Sequence, residues 1–142
     1  MKKIFLLFLI GVSAIRTNAQ VVKETEVPTG IKTAFEKLYP TAKVDKWEKD
    51  KLNYEAEFKN DKTETSVVFG PNNNLLETGI VIEVSNLPKT VINYCKKKYP
   101  DQKIAQAEKI TNYKGVITYE AEVNDMDVLF SADGTFIKAS KK

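Results

Sequence analysis

The sequence predicts an α+β fold: two helix–β–β–β–β copies forming one antiparallel sheet of about eight strands, with the helices on one face. Three observations predict it. "YEAEF" at 54–58 returns as "YEAEV" at 119–123. "VPTGIKTAFEKLYP" (27–40) and "AKVDKWEK" (42–49) return 60 positions later as "LPKTVINYCKKKYP" (87–100) and "QKIAQAEK" (102–109). "SVVFGPNNNLLE" (66–77) matches "DVLFSADGTFIK" (127–138) at an offset of 61. Four collinear blocks are more than chance offers, and self-similarity at a fixed period marks a repeated structural unit. The copies are read as 27–84 and 87–140, within a single compact domain of residues 20–142.

Each copy opens as a helix. Pro28 suits a first helical position, where a missing N–H costs nothing. Ile31, Ala34, Phe35 and Leu38 follow at i, i+3, i+4 and i+7, which is one apolar stripe. Tyr39-Pro40 ends it, because the residue before proline disfavours helical geometry. The second copy takes Ser85 or Asn86 as its cap and places Val91, Tyr94 and Cys95 on the stripe, with Lys98 at the fourth position.

Strands follow. "YEAEF" alternates strictly, with Tyr54, Ala56 and Phe58 on one face and Glu55 and Glu57 on the other. "YEAEV" repeats this with Tyr119, Ala121 and Val123 against Glu120 and Glu122. "TSVVF" is a third strand, and "GPNNN" and "SADG" are turns of residues that tolerate tight backbone angles. "LLETGIVIEV" (75–84) is a longer fourth strand, whose counterpart is "TFIKAS". The five residues added to the second copy fall around "ITNYKG". A single copy of this size buries too little surface to be secure alone and leaves sheet edges open. An even-length hairpin loop over 43–58 sets Trp47 opposite Ala56, on the helix side.

The N-terminus reads "MKKIFLLFLIGVSAIRTNAQ": two lysines, a short apolar run, then small residues before Gln20. This is the layout of a secretory signal peptide over residues 1–19. The run falls short of the roughly 20 apolar residues that span a bilayer. A periplasmic or secreted location follows, with no stable membrane anchor after cleavage. Three of the 22 basic residues and none of the 19 acids lie in that segment, so the formal charge of +3 belongs to the whole chain and the remainder is neutral. No basic stripe for nucleic acid is expected. The chain has no histidine, which removes His-based acid–base chemistry and the common zinc sites. Its one cysteine, Cys95, allows no internal disulfide and reads as a buried structural thiol.

The pattern "VP..I..AF.K.YP.AKV.KWE......YEAEF", followed by "F....NLLE", resembles the PepSY-like family of small exported bacterial proteins with a β-lactamase-inhibitor-like fold. The resemblance covers about 27–140 and appears twice. It implies an antiparallel sheet carrying helices on one face, and a role in binding or inhibition. It supplies no catalytic motif and no cofactor. Gly70-Pro71 departs from the acidic turn residue usual in the family, and Ala107 stands where the first copy has Trp47.

Candidate chemistry centres on Glu55, Glu57, Glu120 and Glu122. Acids at i and i+2 of a strand point the same way, about 6.5–7 Å apart. Paired carboxylates can serve a glycosidase or hold calcium. The plainer reading is a solvated face with cross-strand Lys–Glu pairs. "NDK" (60–62) and "DMD" (125–127) read as turns before metal ligands. Val68 and Leu129 alternate with the inward residues and give the acidic face an apolar band, which Leu75 and Phe136 could extend. The expected function is a non-enzymatic extracytoplasmic binding module, including a protein inhibitor of a periplasmic or secreted enzyme. Its partner surface is Glu55, Glu57, Val68, Glu120, Glu122 and Leu129. The alternatives are an envelope protein that self-associates as a homodimer through its sheet, and, more weakly, a calcium binder or carboxylate-based hydrolase.

The exported chain is expected to begin at Gln20. Intact mass of the protein recovered outside the cytoplasm checks this, and a mass that retains residues 1–19 contradicts it.

Overall fold

The computed structural model describes residues 19–141. The export signal therefore lies outside the described residues, apart from Ala19. Among the described residues the fold is α+β, with two helices and nine strands, each paired antiparallel with a strand adjacent in the chain. The expectation was about eight. The ninth is β1 (Gln20–Val22), three mostly exposed residues paired with the second strand. So short a strand carries no alternation from which to read it. The chain divides into two compact units, Met1–Leu76 and Glu77–Lys142.

The first unit continues with a 3-10 turn at Glu24–Glu26, α1 (Thr29–Leu38), β2 (Val44–Asp50), β3 (Asn53–Asn60) and β4 (Thr63–Phe69), and reaches the start of β5 (Leu75–Ile82). Pro28 is the residue before α1, with extended backbone (φ −55°, ψ 137°), rather than its first helical residue. Ile31 and Phe35 are buried and Ala34 is half-buried, but Leu38 is 50% exposed, so the stripe ends a turn earlier than the periodicity indicates.

Strand alternation decides what lies beneath this helix. Val22, Trp47, Ala56 and Val67 form one cross-strand row. Lys49, Tyr54 and Phe69 form the next. Trp47 sits opposite Ala56, as the hairpin parity requires, and is buried. Phe35 reaches down to Phe58 (ring centroids 4.9 Å, planes at 87°) and to Trp47 (5.9 Å, 70°), while Tyr39 packs on Phe58 at 4.6 Å. Edge-to-face contacts of this kind add about 0.5–1.5 kcal/mol each beyond area burial. The β3–β4 turn is tight: Asn60 pairs with Thr63, and Asp61 and Lys62 both have positive φ (46° and 73°). That is the hairpin turn whose twist matches the strands.

The second unit has β5, a 3-10 turn at Val84–Asn86, α2 (Lys89–Lys98), β6 (Ile104–Asn112), β7 (Ile117–Val123), β8 (Met126–Ser131) and β9 (Phe136–Lys141). Ser85 and Asn86 lie in the 3-10 turn and do not cap α2; Pro88 precedes it, as Pro28 precedes α1. Val91 and Cys95 pack on Ala107, Ala121, Val123, Val128 and Phe130. The thiol is buried, and that burial pushes Cys95 above the usual thiol range. With Ala107 replacing a tryptophan, aromatic volume comes from elsewhere: Tyr94 stacks on Phe136 (5.1 Å, 10°) and meets Phe130 edge-on at 5.3 Å. Leu75 likewise packs against the first unit's core. Neither Leu75 nor Phe136 joins the opposite face, since turn geometry puts both on the helix side.

Both units carry a register shift at corresponding positions, between Val44 and Lys46 and between Ile104 and Gln106. One contact is reciprocal. A Cβ on Gly30 of α1 would strike the side chain of Asn73 in the following turn, whereas in the second unit the helix residue is Thr90 and the turn residue is Gly134. Gly134 also has φ +84°, and a Cβ there would overlap the Thr90 hydroxyl and lie 2.8 Å from its Cβ.

Two outcomes follow. Phe58→Ala lowers unfolding free energy by about 3–5 kcal/mol, because the ring is fully buried. Gly134→Ala destabilises more than Gly115→Ala, since both have positive φ but only Gly134 also meets a side chain. Urea denaturation of the variants measures both, and equal losses for the two glycines would remove the Thr90 contact as a cause.

Candidate functional site

With one face of β2–β4 given to the helix, alternation sends the intervening residues to the other. In the first unit these form two cross-strand rows: Lys46, Glu57 and Ser66, then Glu48, Glu55 and Val68. The face is not solvated as expected. Glu48, Glu55 and Glu57 are buried, and Val68 is half-buried. Glu48 lies directly opposite Glu55, a like-charge pair that is unfavourable on a sheet. Lys46 is the cation among them. Its Nζ lies 2.9 Å from Glu57 Oε1 and 3.1 Å from Glu48 Oε1. The expected cross-strand Lys–Glu pair thus exists at Lys46–Glu57, but one ammonium serves two carboxylates. Glu55 Oε1 has no hydrogen-bond partner among the described residues.

The titration behaviour follows from this crowding. Burial pushes Glu55 well above the usual carboxylate range, and repulsion from Glu57 and Glu48 adds to it; Lys46 and a hydrogen bond from Ser66 oppose. Burial raises Glu57 as well, against its bond from Lys46. Burial pulls the Lys46 ammonium down, but hydrogen bonds to Glu57 and Glu48 outweigh it and the net shift is upward.

The second unit repeats the arrangement. Its helix-free face has Gln106, Glu122 and Asp127 in one row and Glu108, Glu120 and Leu129 in the next. Glu108 again stands opposite Glu120, and Glu122 opposite Asp127. Asp127 therefore belongs to a strand and not to a turn, because β8 starts at Met126, immediately after the two-residue turn. Leu129 is buried rather than part of an open apolar band. Farther along this face Glu77 is buried, and burial moves its carboxyl from 4.5 to about 7.

Each trio of expected site residues shares a face within its own unit: Glu55, Glu57 and Val68 in the first, Glu120, Glu122 and Leu129 in the second. Reasoning from sequence missed Glu48, Glu108, Asp127 and Lys46. The signal was present in "KWEK" and "QAEK", where Glu48 and Glu108 occupy equivalent positions. Among the described residues, no group of three or more His, Cys, Asp and Glu side chains is arranged to hold a metal ion.

The fold and this face can be set beside known proteins. The model of the family described as "Putative beta-lactamase-inhibitor-like, PepSY-like" matches residues 13–77 and again 62–138. The chain belongs to the PepSY-like family. Solved structures with the same fold include a "putative periplasmic" protein of Bacteroides eggerthii (TM-score 0.69, 21% identity, 81% of this chain and 88% of that one). A DUF2874 family protein of Bacteroides uniformis is similar at TM-score 0.68 and 22% identity, covering 81% of this chain and 89% of the other. A BLIP-like protein of Bacteroides fragilis matches at TM-score 0.59 and 25% identity, covering 80% and 85%. No curated protein matches the chain. Among the described residues, no helix of this PepSY-like protein is long and apolar enough to cross a membrane.

A pH dependence with a definite sign follows from Glu77. Its folded form holds the proton more tightly than the unfolded chain does. The resulting stability is present below pH about 4.5 and is lost as pH rises through about 7. Glu77→Gln removes that loss. The variant is more stable than the parent above pH about 7 and indistinguishable below about 4.5, as measured by chemical denaturation at both ends. Equal stability at high pH contradicts the burial of this carboxyl.

Proposed function

We propose that this PepSY-like protein is a non-enzymatic extracytoplasmic binding module, built as two tandem copies, that receives a protein partner on the helix-free face of its strands. The single observation that carries the reading is the pair of acid–acid oppositions, Glu48–Glu55 and Glu108–Glu120, at matching positions. Folding needs only the helix side of these strands to be apolar. Nothing in the fold demands acids opposite acids on the other side, and such pairs weaken a sheet. Locally unfavourable choices of this kind concentrate at functional sites. A partner that brings basic groups would relieve the repulsion on binding, and complementary charge would speed and orient the encounter. Val68, half-buried opposite Glu55, adds apolar surface in the first unit.

The extracytoplasmic location rests on the signal-like N-terminus and on the relatives described as periplasmic. The family description and the BLIP-like relative favour an extracytoplasmic enzyme as the partner, with this chain as its inhibitor. The tandem reading rests on the two family matches, the repeated helix-then-strands order and the matching register shifts.

The test is capture of the native partner from the periplasm by the processed protein. Neutralising Glu57 and Glu122 to Gln keeps shape and removes charge. Capture by this variant falls at low salt and much less at high salt, where screening already removes the effect. Leu129 is too buried for a charged replacement to be informative. Undiminished capture at low salt would place the partner elsewhere. A captured mass equal to a second copy of the chain would instead support self-association.

A further inference from the structure

The two helices differ sharply at the same positions. The outward stripe of α2 is Lys89, Asn93, Lys96 and Lys97, all exposed. The equivalent stripe of α1 is Thr29, Thr33, Glu36 and Lys37, whose charges cancel. Lys98 and Lys103 extend the basic surface, and Asp101 is the one acid between residues 89 and 103. Lysines in the last turn of α2 complement the helix dipole, but Lys89 sits in the first turn, where a cation is unfavourable. Helix stability therefore does not account for Lys89, nor for the continuity of the stripe.

We propose that the lysine face of α2 docks reversibly on an anionic lipid surface. Charge complementarity is the motive, and the kind of charge selects the partner. Every cation here is a lysine, and the chain's one arginine is Arg16, in the N-terminal segment. Lysine is a hydrated point charge on a flexible stem, unsuited to forked recognition of a carboxylate, and it is depleted at protein–protein interfaces where arginine and aromatics are enriched. A row of exposed lysines with no aromatic among them suits a plane of lipid phosphates better than a folded acidic partner. The far side of the second unit is net acidic, with Lys138 in the row of Glu108, Glu120 and Leu129. Glu108, Glu120, Glu122 and Asp127 alternate with the residues that α2 covers, so they lie on the far side of the strands. An anionic surface attracts one side and repels the other. The docked unit would present its acidic face away from the lipid, free for a partner. The inference takes its location from the extracytoplasmic reading, but it does not depend on which face binds protein.

The test uses the processed full chain with vesicles of phosphatidylglycerol mixed into phosphatidylcholine, against phosphatidylcholine alone, in a sedimentation assay. Binding is expected only to the anionic vesicles and is lost as salt rises. Lys89→Gln, Lys96→Gln and Lys97→Gln together lower partitioning about a hundredfold, at about fivefold per lysine near a charged membrane. Lys37→Gln on α1 leaves it nearly unchanged. All are exposed positions, and an unaltered melting temperature verifies the fold. Failure to prefer anionic vesicles, or equal binding by the triple variant, overturns the proposal. The same triple variant, scored for capture of the protein partner, separates the two ideas. Lost capture with no vesicle binding by the parent means that the lysines serve an acidic protein, which also overturns the lipid reading. Retained capture leaves the acidic-face reading intact whatever the vesicles show.

Discussion

Everything in each unit depends on the two-residue period of a strand set beneath a helix. In β3, Tyr54, Ala56 and Phe58 must face inward together, and Phe35 can reach Phe58 at 4.9 Å only because they do. The same period leaves Glu55 and Glu57 no choice of side. A slip of one residue would put the acids under the helix and the aromatics outside, so the apolar face locks the position of the acidic one. Structure and candidate function are thus two readings of one alternation, repeated by Tyr119, Ala121 and Val123 in β7.

Which acid meets which is set by the strand next door. The two-residue turn Lys51-Leu52 brings Glu48 opposite Glu55, and the longer connection between Asn112 and Ile117 brings Glu108 opposite Glu120. Lys46 partly offsets the crowding in the first unit by touching two carboxylates. Burial then raises what repulsion already raises, and Glu55 holds its proton unusually tightly. On the proposed reading, stability and binding pull in opposite directions at these rows, as expected where a local rule is broken for use.

Much of this was legible beforehand. Period-two alternation identified β3 and β7 and their faces, and hairpin parity put Trp47 beside Ala56. Both are short-range facts that a sequence carries directly. The cap residues were not legible, because Pro28 and Pro88 serve equally as a residue before a helix and as its first. Leu38 obeys the helical period but is exposed at the last residue of the helix. β1 is too short to show a period. The burial of the acids, and their pairing across strands, required register, which depends on the length of the turns. Glu48 was printed in "KWEK" but meant nothing without its neighbour in space.

The central claim is that the acid rows cost the fold stability, and a double-mutant cycle on Glu48 and Glu55 tests it most directly. Unfolding free energies are measured by urea for the parent, Glu48→Gln, Glu55→Gln and the double variant at alkaline pH, because Glu55 holds its proton well above the usual carboxylate range. The pair is expected to be mutually unfavourable, with a repulsive coupling of about 0.2–1 kcal/mol, so that the double variant gains less than the sum of the singles. A coupling of zero, or one that favours having both carboxylates, would contradict it.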